Sequence, residues 1–255
     1  MSRLKLEASW NQKMIKDPIE KYNKIYIYSP HYDDTFLSLG GYLGLSNEFG
    51  KEITSIIVFG KSNNVYKTKL PKDKIEYASS IRCEEEKKNI DLISGNLIVW
   101  ENYEANIRGH KTNKNSLKRY PYEIKLEYDK SVISKVVNQV RQNLVNNKEV
   151  LHLFPLSIGN HVDHLIVRQC LSKVENGFNI GFYEDLPYAI ENSYIEKISD
   201  NMNSVLLPVN LEKKRLFIQN YQSQLAEKWI DDITNYMLSI SKQLDIYFER
   251  IWLMR

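Results

Sequence analysis

Cysteine is nearly absent from this chain: Cys83 and Cys170 are the only two in 255 residues, and no CxxC spacing occurs. A disulfide framework is thereby excluded, and a cysteine-based metal site has no ligands to draw on. No apolar run approaches the roughly 18 consecutive residues that a membrane span requires, so no membrane insertion is expected. The opening segment MSRLKLEASWNQKMIKDPIEKYNK carries charges every few positions and no apolar h-region, so neither a signal peptide nor an anchor is expected there. A cytoplasmic setting follows as an expectation. Neither sign of charge dominates, since 35 Lys and Arg stand against 32 Asp and Glu for a net +3. That balance argues against nucleic acid as a partner. There is no GxSxG elbow, and Gly60, Lys61 and Ser62 do not complete a phosphate loop because Ser55 stands where its first glycine belongs.

What is present reads as an ordinary folded chain, with 42% hydrophobic and 26% charged residues and 17 tyrosines. The segment KIYIYS at 24–29 predicts a buried strand, apolar residues at helical spacing from Phe36 to Leu45 predict a helix, and ITSIIVF at 53–59 predicts a second strand. Strand, helix, strand at that spacing is a βαβ unit with a right-handed crossover. The alternation continues through a helix over 74–93, a strand at 96–100, a helix over 129–146 and strands at 150–154, 179–183 and 204–209. Helices over 210–225 and 230–243 and a final strand within 245–254 complete the reading. The expected fold is α/β, a Rossmann-like three-layer αβα arrangement with a mostly parallel sheet, formed as one domain over 1–255. Nothing in the sequence specifies an oligomeric state. Residues 101–128 show no sustained period and are mostly polar, which predicts a loop over a substrate site.

Ligands of open parallel sheets bind outside the carboxyl ends of the strands. Three motifs fall there: PHYDD after the first strand, HVDH after the strand at 150–154, and YEDLPY after the strand at 179–183. Of five histidines, His31, His161 and His164 each lie within two residues of an aspartate, whereas His110 and His152 read as structural. Two imidazoles and one carboxylate suit a catalytic zinc that keeps an open position, and His31, Asp34 and His164 form that set. Asp33 could then serve as a general base, Asp163 could orient a neighbouring imidazole, and a protonated His161 could stabilise an oxyanion. The plainer alternative for each motif alone is an Asx turn or a helix cap.

The segment SPHYDDTFLSLGG resembles the first signature of the PIG-L or LmbE-like family of zinc N-acetylglucosaminyl deacetylases, and IGNHVDHLIVR resembles the second. IRCEEEKK looks like the family's Arg-x-x-Glu helix, carried by Arg82 and Glu85, and FYEDLPYA matches a block found in one branch. The resemblance implies one zinc per chain on His31, Asp34 and His164, with Asp33 as the base and His161 and Asp163 handling the oxyanion and leaving amine. Iron or cobalt could occupy the same ligands. Tyr32 stands where many members have Pro, and Thr35 where many have an acid, departures that bear on substrate choice. The implied substrate is a small-molecule N-acetyl amino sugar. Arg82, Glu104, Arg108, Glu184, Asp185 and Tyr188 are the residues expected to bind it. Basic residues from Arg108 to Arg119 read either as a solvated surface loop or as favouring an anionic substrate, and Glu101, Glu104, Glu184 and Asp185 would favour a cationic one. A metal-dependent phosphoesterase and a non-catalytic sugar-binding descendant are the rival readings.

Overall fold

The computed structural model describes residues 16–66, 75–110, 124–174, 176–191, 195, 200–224, 226–240 and 246–254. Its elements run in the order β1 (Lys24–Ser29), α1 (Asp34–Leu43), β2 (Glu52–Ile57), α2 (Ile75–Leu92), β3 (Asn96–Val99), α3 (Leu126–Asn143) and β4 (Val150–Pro155). They continue with α4 (Val162–Gln169), β5 (Ile180–Tyr183), β6 (Met202–Pro208), α5 (Leu211–Asn220), α6 (Ile230–Ser239) and β7 (Phe248–Met254).

All seven strands join one sheet in the order β3-β2-β1-β4-β5-β7-β6. The first five are mutually parallel, and β7 pairs antiparallel with both β5 and β6. Helices α1, α2 and α5 pack together, as do α3 and α4, giving the expected three layers. Every residue of β4 is buried, as a strand covered on both faces must be. Ring stacking between Tyr28 and Phe154, 4.2 Å apart, ties β1 to β4. His152 lies in that strand, stacked on Tyr26 at 5.2 Å, which bears out its structural reading.

The chain leaves β1 towards β2 on one side, while β4 continues to β5 on the other. The crevice at the carboxyl ends of β1 and β4 is therefore a topological switch point. PHYDD and HVDH both emerge into it.

Several boundaries differ from those expected. Helix α3 starts at Leu126 instead of Asp129, because the Asp129 carboxylate turns back to accept the Lys125 N–H and closes the first turn. Helix α5 stops at Asn220 instead of reaching 225, because the Ser223 N–H and hydroxyl bond to the Glu85 carboxylate on α2. Those tertiary bonds outweigh a local helical pattern. The expected loop over 101–128 is described only to His110 and from Ile124, and its start is held by single bridges from Phe59 to Glu101 and Lys61 to Tyr103.

Candidate metal centre

Burial governs the site's electrostatics. His164 is fully buried and Asp34 nearly so, and neither tolerates an unmatched charge there. The Asp34 carboxylate Oδ2 accepts the His31 backbone N–H at 2.8 Å, and it stands 3.3 Å from His31 Nδ1 and 3.4 Å from His164 Nε2. Ligands at the usual zinc bond length of about 2.0–2.1 Å around a tetrahedral ion stand about 3.3–3.4 Å apart, the spacing of both pairs. Among the described residues, His164 Nε2 is buried with no hydrogen-bond partner. An orphaned imidazole nitrogen facing a carboxylate and a second imidazole fits a divalent cation.

The supporting contacts choose the nitrogens. His164 Nδ1 bonds Asp185 Oδ1 at 2.6 Å, and Asp185 Oδ2 accepts the Ile158 N–H, so the His164 lone pair falls on Nε2. His31 Nε2 bonds Asp163 Oδ2 at 3.0 Å, which leaves Nδ1 towards Asp34. Burial opposes a cationic His31, yet Asp163 and Asp34 raise its pKa well above the ordinary value. Burial likewise opposes an anionic Asp34, yet His164 and His31 hold it below the usual carboxylate range.

The loop before α4 is locally forced. Ser157, Gly159 and Asn160 all have positive φ, 61°, 81° and 56°. Gly159 is needed there because a Cβ would meet the Tyr188 ring at 3.0 Å. The forced turn brings the Ser157 hydroxyl onto the His164 carbonyl at 2.8 Å and delivers His161 as the N-cap of α4. His161 therefore precedes the helix and does not share a helical face with His164, although their rings lie 5.4 Å apart. Its Nδ1 accepts the Asp163 N–H at 3.2 Å, and burial pushes its pKa down to about 3. A neutral His161 bearing its proton on Nε2 is the consequence, in place of the protonated ring expected from the motif.

Asp33 caps the start of α1 on the more open side of the cluster, with 18% of its side chain exposed. Arg82 reaches it from α2 at 3.0 Å, while the same guanidinium bonds Glu104 at 2.5 Å and Ser62 at 2.9 Å. Asp163 binds Arg108 at 2.7 Å through its other oxygen.

These contacts reassign most of the expected substrate residues. Arg82 and Glu104 are buried partners of one another, since opposite charges removed from water must pair. Arg108 is 7% exposed and held by both Asp163 and Asp129. Glu184 accepts bonds from Tyr236, Arg250 and Trp252 at 2.5, 2.6 and 2.9 Å. Asp185 supports His164 from behind, and Tyr188 sets its ring at right angles to that of His164, 5.7 Å away. Lys111, Lys114, Lys118 and Arg119 of the basic loop lie outside the described residues. Asp129 escaped the motif reading, because nothing near it in sequence marks it as more than a helix start.

No protein-family model and no curated protein sequence matches the chain. Solved structures do. A zinc-inhibited form of teicoplanin deacetylase matches with a TM-score of 0.74 at 18% identity, over 91% of this chain and 98% of that one. N,N'-diacetylchitobiose deacetylase from Pyrococcus horikoshii, complexed with an inhibitor, matches with 0.60 at 14% identity, over 100% and 93% of the two chains. A 4-carboxy-2-hydroxymuconate hydratase from Pseudomonas putida matches with 0.56 at 11% identity, over 91% and 95%. The resemblance read from the motifs thus extends to the whole architecture. A hydratase on the same fold means that the chemistry must be argued from the site.

Proposed function

We propose that this chain is a zinc-dependent N-deacetylase that hydrolyses the acetamide of an N-acetyl amino sugar to acetate and the free amine. The observation that carries the reading is the convergence of His31 Nδ1, Asp34 Oδ2 and the orphaned His164 Nε2 beside Asp33. Deacetylase activity in two proteins of the same fold makes the amide the first bond to test. A bound zinc would supply Lewis acidity, polarising the amide carbonyl and making water a better nucleophile at neutral pH.

The chain's own residues then divide the proton work. Asp33, fixed by Arg82, takes a proton from the attacking water as general base. His161 donates its Nε2–H to the oxygen that gains charge as the carbonyl becomes tetrahedral. The Asp33 carboxyl returns the proton to the departing nitrogen, so that acetate and an amine leave. Tyr188, beside His164 and against Gly159, offers a face to the sugar.

Metal analysis of the purified chain, with acetate release across N-acetylated sugars, nucleotide sugars and antibiotic precursors, tests the reading. One zinc per chain, its loss in His164→Ala, and acetate from at least one panel member are expected. Full zinc content in His164→Ala would remove the ligand assignment, and metal without acetate release would favour a binding protein.

A further inference from the structure

We infer that Arg108 and Asp129 are positioning residues for His31, acting through Asp163; the inference rests on His31 being a metal ligand. The Asp163 carboxylate is fully buried and its oxygens have divided tasks. Oδ2 accepts from His31 Nε2 and from the Ala105 N–H, each at 3.0 Å, while Oδ1 accepts from Arg108 at 2.7 Å. The Arg108 bond on Oδ1, together with the Ala105 N–H on Oδ2, fixes the carboxylate plane and aims Oδ2 at the imidazole.

Arg108 is itself held by Asp129. Its Nε and second amino group reach Asp129 Oδ1 at 3.0 and 2.8 Å, and its first amino group also bonds the Tyr103 carbonyl at 2.7 Å. Its plane lies over Phe59, 5.0 Å from the ring centroid. Asp129 is fully buried and receives His110 Nε2 at 2.9 Å and the Lys125 N–H at 2.8 Å. A buried relay thus runs from the first turn of α3, through Arg108 and Asp163, to the nitrogen of His31 turned away from Asp34.

The guanidinium fork matters more than its charge. It spans two carboxylates with separate N–H groups, and a lysine ammonium would satisfy only one of them. Without Arg108, Asp163 Oδ1 would be a buried anion lacking its cation, free to rotate or take up a proton, and His31 would lose its fixed acceptor. A direct partner of a metal ligand, as Asp163 is of His31, typically governs about 10- to 100-fold in metal affinity, and Arg108 acts through that partner.

A structural role alone, pinning residues 104–110 to α3, would lower stability and leave the imidazole untouched. The experiment reads both. Zinc affinity of the full chain is measured by competition with a chelator, and the His31 Nε2–H is followed by imidazole NMR of the metal-free chain. Arg108→Gln should weaken zinc binding about 10- to 100-fold and broaden or abolish the hydrogen-bonded Nε2–H signal. Asp129→Asn should act in the same direction, and Arg108→Lys should recover part of both. Glu184→Gln serves as the control, expected to lower the melting temperature without moving either readout. Unchanged zinc affinity and an unchanged His31 signal in folded Arg108→Gln overturn the relay; if that variant does not fold, the same result in Asp129→Asn does so. A wild-type chain that takes up no zinc yet shows the Arg108-dependent His31 signal overturns the metal reading and supports the relay.

Discussion

Two buried charge clusters in this protein are differently finished. Beneath α1, Lys214 donates to Glu249 and to the Leu37 carbonyl, both at 2.6 Å, and Glu249 accepts the Gly41 and Tyr42 N–H groups at 2.9 and 2.8 Å. Cation meets anion, and both carboxylate oxygens are occupied. At the carboxyl ends of β1 and β4, a carboxylate instead sits between two imidazoles, and one imidazole nitrogen has no hydrogen-bond partner among the described residues. Both clusters are largely buried, so burial alone does not mark a site. The mark is a cluster that the protein leaves incomplete where a closed ion pair was equally available.

The contrast can be broken at either cluster. At the open one, Asp33→Asn should lower kcat by about 10²- to 10⁴-fold, the scale of a lost general base, with zinc content and melting temperature nearly unchanged. Steady-state kinetics with metal analysis checks this, and near-normal turnover would move the base elsewhere. At the closed cluster the pattern should invert. Lys214→Met leaves Glu249 buried without its cation, and a loss of about 3–5 kcal/mol in denaturant unfolding is expected, with activity per folded molecule retained.

A third buried polar group, His152, belongs to neither cluster and sharpens the comparison through pH. Burial pushes its pKa down to about 4, so the unfolded chain binds the proton more readily than the folded one below the ordinary value near 6.5. Stability from this residue is therefore complete above about pH 6.5 and is lost as pH falls towards 4. The loss is up to about 3 kcal/mol, at 1.36 kcal/mol for each unit of pKa difference. Unfolding curves across that range should be steeper in pH for wild type than for His152→Gln. Equal slopes would assign the acid sensitivity to other groups.

The parts of this molecule legible in sequence are those whose signals are local. Alternation of strand and helix places PHYDD and HVDH directly after β1 and β4, and both loops enter the switch-point crevice. The misread parts depend on partners distant along the chain. Arg108 looks like a solvated loop cation until Asp163, 55 residues away, is beside it, and Arg82 needs Glu104, 22 residues on. Glu184 stands next to Asp185 in sequence, but in the loop just past β5 it turns to Tyr236 and Trp252 while Asp185 turns to His164.

The insertion of β7 between β5 and β6 bears on how the protein is made. Asp34 is synthesised early, yet the backbone of its helix is tied at Gly41 to Glu249, 208 residues later. A ribosome-bound chain that has not released residues 248–254 lacks the strand joining β5 to β6 and the acceptor that anchors α1. Contacts of such sequence separation form late, after the cost of closing a long loop has been met. Assembly of the candidate metal centre thereby waits on β7, and chains interrupted before it would present His31, Asp34 and His164 without the frame that holds them.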